Sequence, residues 1–201
     1  MPILSIKKMN TSIKEEFSAN HGFLSTRAIR SRNKWRELRK LQGDNTIVKV
    51  KRGLYRLNDV ECDQKVEVAK IIPDGVFCLF TAWHYYNLSV YNPFEFYVAI
   101  RKKQKLILPS YPPVKLYYWI DRYYLLGITE IIIDNQVVKI YDLEKSVCDA
   151  VRFRNKVGID ITSEILKNYL KRKDKNLSIL WQYSRQLRIE KVMREAVTLM
   201  L

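Results

Sequence analysis

The sequence predicts an α+β fold, and three observations carry that prediction. Helical spacing fills most of the first 42 residues and a pair of alternating segments follows. Apolar and alternating segments between residues 76 and 141 then read as a sheet. From Asp142 onward the spacing turns helical and stays so, which is the strands-then-helices order of α+β proteins. With 201 residues and 47% hydrophobic content, the chain can bury a real core in one or two domains.

Each element has a local reason. Ile6, Met9, Ile13 and Phe17 recur every three or four positions, so residues 4–19 form one amphipathic helix. His21-Gly22 breaks it, and Ser25 or Thr26 offers an N-cap oxygen to a short second helix through Ala28 and Ile29. A third helix runs from about Arg32 to Gln42 and stops at Gly43-Asp44-Asn45. Residues 46–50 alternate as a strand, Lys51-Arg52 makes a tip with Gly53 at a positive-φ position, and residues 54–57 return. Three helices and a two-stranded ribbon is the order of a winged helix-turn-helix. The expected architecture is therefore an N-terminal winged helix-turn-helix over residues 1–59, followed by a mixed α/β domain over residues 60–201 that ends in several helices.

In that second domain residues 65–72 read as a connecting helix, and residues 76–80 as an all-apolar strand. Thr81 then caps a short helix to Tyr86. Strands follow at residues 94–100, 114–120, 129–133 and 137–141, the last two joined at Asn135-Gln136. Four helices complete the chain, marked by Val147 and Val151, Ile161 and Ile165, Leu177 and Leu180, and Val192 and Ala196. Thirteen tyrosines are present, and Tyr117, Tyr118, Trp119, Tyr123 and Tyr124 fall within eight residues. Alternation assigns such aromatics to a core on one strand face and a protein contact on the other.

Charge is unevenly distributed. Lys and Arg number 36 against 21 acids, a net +15, and residues 1–57 alone carry +10. Such a surplus favours a polyanionic partner. Projected at about 100° per residue, Trp35, Leu38 and Leu41 share one arc of the third helix, while Arg32, Asn33, Arg36, Arg39 and Lys40 fall nearly opposite. Lys34 lands among the apolar residues and must snorkel outward or mark a later helix start. A cationic face with one amide suits the major groove, where guanidinium forks pair with guanine and Asn with adenine. The expected DNA-binding set is Ser25, Thr26, Arg32, Asn33, Arg36, Arg39, Lys40, Lys51 and Arg52. Trp35 is expected to pack inward.

Other chemistries lack their signatures. The two histidines, His21 and His84, are read as packed or capping residues, and no nucleophile elbow, phosphate-binding glycine loop or clustered Cys/His ligand set occurs. No catalytic residue, metal or cofactor is expected. Asp142-Leu143-Glu144-Lys145 resembles half of a metal-dependent nuclease site, which makes a nuclease or nucleic-acid-modifying enzyme the alternative reading. Its position at a helix start favours a cap by Asp142 and a helix-dipole role for Glu144. Three cysteines, an odd number with no paired spacing, and the lack of a leader point to a cytoplasmic protein. Apolar runs such as 76–80 and 131–133 fall short of the roughly 20 residues a membrane helix needs, so no membrane role is expected.

Several of these segments together resemble the AbiEi family, the antitoxins of bacterial abortive-infection (type IV) toxin-antitoxin systems. The resemblance rests on Gly22-Phe23-Leu24-Ser25-Thr26 before a basic helix and on the hairpin Lys51-Arg52-Gly53-Leu54-Tyr55. Thr81-Ala82 after an apolar strand and Glu144-Lys145-Ser146-Val147-Cys148-Asp149-Ala150 complete it. It covers about residues 10–195. It implies an N-terminal winged helix that represses its own operon and a C-terminal domain that counters a nucleotidyltransferase-like toxin without requiring a stable complex. The partner expected for the cationic face is double-stranded operator DNA, with self-association where paired half-sites take two or more copies. The chain departs from the family pattern at Gly43-Asp44-Asn45, a longer lead into the ribbon, and at Asp142-Leu143, where a small residue and Pro are common.

Overall fold

The structure is a computed structural model that describes residues 11–199. It is a mixed α+β protein, and the chain divides into two compact units, Met1–Glu67 and Val68–Leu201.

In the first unit, helix α1 (Thr11–Ala19) drives Ile13 and Phe17 fully out of water. The Ile6 and Met9 part of the expected helix lies outside the described residues. The chain then reverses through His21 and Gly22, both left-handed, at φ 51° and 87°. Glycine is required at the second position, because a Cβ there would stand 2.9 Å from Val60 Cγ2. The next segment corrects the expectation of a capped second helix. Residues Phe23–Ser25 form a strand, β1, and only a 3₁₀ turn follows at Thr26–Ala28. Ser25 makes no side-chain cap bond. Helix α2 (Arg32–Gly43) is capped instead by Ser31, whose hydroxyl accepts the Asn33 amide at 3.3 Å. At its end Gly43 stays helical, and Asn45 takes the left-handed conformation (φ 54°).

Strands β2 (Ile47–Lys51) and β3 (Leu54–Leu57) then form the expected antiparallel hairpin. Strand β3 pairs on its other side with β1, giving the order β1-β3-β2. Ile13, Phe17, Leu24, Ile29, Leu38, Leu41, Ile47, Tyr55 and Leu57 make one core. Helices α1 and α2 are thereby seated on this small sheet.

Helix α3 (Gln64–Ile71) contains the division between the units. The second unit has a five-stranded mixed sheet of β4 (Val76–Phe77), β5 (Phe96–Arg101), β6 (Val114–Trp119), β7 (Ile128–Ile133) and β8 (Gln136–Tyr141), ordered β6-β5-β4-β8-β7. The expected strand at residues 76–80 ends early. Leu79 turns left-handed (φ 45°) and opens helix α4 (Leu79–Tyr85). Thr81 therefore lies inside that helix rather than capping it, and its hydroxyl accepts the Tyr97 amide at 2.8 Å. The β7–β8 hairpin turns at Asp134 and Asn135, both left-handed, one residue earlier than expected.

After a short helix α5 (Asp121–Tyr124), placed between β6 and β7, four helices close the chain: α6 (Leu143–Val157), α7 (Ile159–Leu170), α8 (Leu177–Gln186) and α9 (Glu190–Thr198). They bury Val147, Val151, Ile165, Leu180 and Met193 against Tyr97, Ala99, Trp119 and Tyr141 of the sheet. Among the described residues, no helix is long and apolar enough to cross a membrane.

Candidate nucleic-acid interface

Helix α2 is set on the first unit by three of its inner side chains. Leu38 and Leu41 are buried, and Lys34 pairs with Glu16 of α1. That ion pair explains the residue that broke the amphipathic pattern: Lys34 faces the protein because an acid on the neighbouring helix receives it. The inward direction of α2 is therefore centred on Lys34, Leu38 and Leu41. Trp35, at the margin of the apolar arc, is rotated outward and is 38% exposed, which overturns its expected inward packing.

The opposite side carries Arg32, Asn33, Arg36, Arg39 and Lys40, all exposed. Among the described residues, none of Arg32, Arg36, Arg39, Lys40 and Arg52 enters an ion pair. Trp35 lies with Arg32, Arg36 and Arg39 along one open depression of the surface. A ridge of guanidinium groups is thus joined by an indole that can pack on sugar or base edges. The indole is the part that sequence reasoning missed. Only the Lys34–Glu16 pairing distinguishes the two rotations of the helix, and it joins residues 18 apart.

The other expected DNA-binding residues cluster at the hairpin. Arg52 is exposed at its tip and Lys51 is half-buried. Burial first, and then the nearby Arg27 charge, pulls the Lys51 ammonium below the ordinary lysine value. Arg27, a further cation absent from the expected set, is therefore within electrostatic reach of the hairpin. Thr26 donates its backbone N–H to the Gly53 carbonyl at 2.9 Å and directs its hydroxyl to the same oxygen at 3.4 Å. Its side chain holds the turn to the hairpin, while the Ser25 side chain faces solvent.

The nuclease-like stretch has a different character. Asp142 caps α6 by accepting the Lys145 amide at 2.7 Å, and Tyr183 donates to its second oxygen at 2.9 Å. Glu144 is buried, and one of its oxygens accepts from the Asn176 amide at 2.8 Å and the Tyr169 hydroxyl at 3.2 Å. Lys145 is fully buried, 2.6 Å from the equally buried Asp149 and 4.3 Å from the centroids of both Trp119 and Tyr141. Burial raises the Asp149 carboxyl above the ordinary range, against the opposing pull of Lys145. Asp142, Glu144 and Lys145 each have a partner inside the protein, and the second oxygen of Asp149 faces Arg152 at 3.9 Å, so this arrangement braces α6. Neither a protein-family model nor a curated protein matches the chain.

Proposed function

We propose that this protein is a sequence-specific DNA-binding transcriptional repressor. Its first unit acts as a winged helix-turn-helix, with α2 as the recognition helix and the β2–β3 hairpin as the wing. The observation that carries the reading is the exposed, ion-pair-free row Arg32, Arg36, Arg39 and Lys40 on the face of α2 away from its buried residues. Its mechanism is phosphate neutralisation with counterion release, together with base-edge contacts by Arg32, Asn33, Arg36 and Arg39. Lys51 and Arg52 extend the contact to adjoining backbone, and paired half-sites take two or more copies.

The resemblance to AbiEi antitoxins supports a further step: the chain is the antitoxin of a type IV system, with the second unit countering a nucleotidyltransferase-like toxin encoded nearby. A mobility-shift titration on the DNA upstream of its own gene tests the first part. Affinity should fall steeply with salt, and Arg36→Ala should cost about 1–3 kcal/mol at its cognate base pair. Unchanged affinity for that variant rejects the docking mode. Co-expression with the neighbouring gene's product tests the second part, which fails if that product is harmless or if this protein leaves its toxicity intact.

A further inference from the structure

Arg32, Trp35, Arg36 and Arg39 stand at i, i+3, i+4 and i+7 of α2, so they form one stripe along the helix. All four are exposed, and together they line an open depression. Their order around the helix is one-sided. At about 100° per residue, Arg36 stands near the centre of the outward face, with Arg32 and Arg39 about 40–60° to one side and Trp35 about 100° to that same side. Asn33 and Lys40 fall about 40–60° to the other side. The indole is therefore the flank of a cationic face.

Trp35 is 38% exposed, and among the described residues its ring meets neither another aromatic ring nor a cation. Its outer surface is thus open, although three guanidinium groups border the same depression. Those guanidinium groups are free of ion pairs among the described residues, so the depression suits a polyanion. In a duplex the central cations of such a helix reach guanine O6 and N7 in the major groove. Thymine adds an apolar group there, its C5-methyl, which projects beside the backbone of its own strand, at the side of the groove. A side chain on the flank of the helix meets that position, and an indole supplies the apolar surface that a methyl group needs.

We propose that Trp35 is a specificity-determining residue of α2, packing against the C5-methyl of a thymine beside the base pairs that the arginines read. The DNA taken by this face therefore carries thymine at that flank, and uracil is a poor substitute. The inference rests on the repressor reading of α2, to which it adds recognition of one methyl group.

The test uses the full-length protein and the DNA upstream of its own gene, prepared once with thymine and once with uracil throughout, so that only the C5-methyl groups differ. Wild-type affinity should fall about fourfold for each methyl contacted. Trp35→Ala should bind the two fragments equally, whereas Arg36→Ala should weaken both and keep their ratio. A second measurement needs no variant. With 5-iodouracil in place of thymine, near-ultraviolet irradiation should join the DNA to Trp35, as located by peptide mass mapping. Equal wild-type affinity for the two fragments overturns the proposal and assigns the indole to deoxyribose, which every nucleotide offers. A preference that survives in Trp35→Ala, or a crosslink found only on other residues, overturns it as well. In those outcomes wild type still binds the thymine fragment and the repressor reading stands; no binding to that fragment removes both.

Discussion

Replacing Lys145 with Met tests whether the buried pair in α6 braces the second unit. Both partners have no solvent exposure and stand 2.6 Å apart, so the substitution leaves Asp149 buried with only Arg152 at 3.9 Å. Breaking one side of a buried pair costs about 3–5 kcal/mol, because the remaining charge has lost its compensation. Loss of the contacts to Trp119 and Tyr141 is part of that figure rather than an addition to it. With a urea slope of about 2 kcal/mol/M, the unfolding midpoint should drop by roughly 2 M. The sign with pH follows from Asp149, whose folded-state value is already raised by burial and rises further without Lys145. The penalty in the variant is therefore full above that raised folded value. It shrinks as pH falls through it toward the unfolded carboxylate value of about 3.9, so the gap to wild type narrows in acid. Lys145→Met/Asp149→Leu should recover to within about 1 kcal/mol of wild type, since both fully buried charges are removed together and the partly exposed Arg152 keeps access to water. A single variant within 1 kcal/mol of wild type, or a double variant as unstable as the single one, would refute the bracing argument.

Other outcomes follow from the first unit. Leu38→Ala, at 1% exposure in the small core, should cost about 2–5 kcal/mol by chemical denaturation. Arg52→Ala should weaken binding evenly across DNA sequences and reduce the slope of log affinity against log salt by about 1, measured by titration at several salt concentrations. Trp35→Phe should leave stability within about 1 kcal/mol, since the indole is 38% exposed, yet remove most of the tryptophan quenching produced by bound duplex.

Much of this organisation was legible in the residues. The α2 helix, the hairpin at Lys51-Arg52-Gly53 and the strands-then-helices order each leave a periodic or turn-residue signal over several positions. What escaped has a common physical origin in short or non-local features. Strand β1 is three residues long, too short for alternation to register, and is defined by pairing with residues some thirty positions away. Trp35 faces outward because Lys34 meets Glu16, a contact between two helices that neither helix announces alone.

The double attachment of Thr26 to the Gly53 carbonyl has a thermodynamic consequence. It joins the hairpin to the turn leading into α2, while β1 clasps the returning strand, so tip and helix move as a single stiff body. A surface already fixed in this way surrenders little conformational entropy when it docks. The amides at this junction should accordingly exchange slowly with solvent deuterium before any ligand arrives, and scarcely more slowly afterwards.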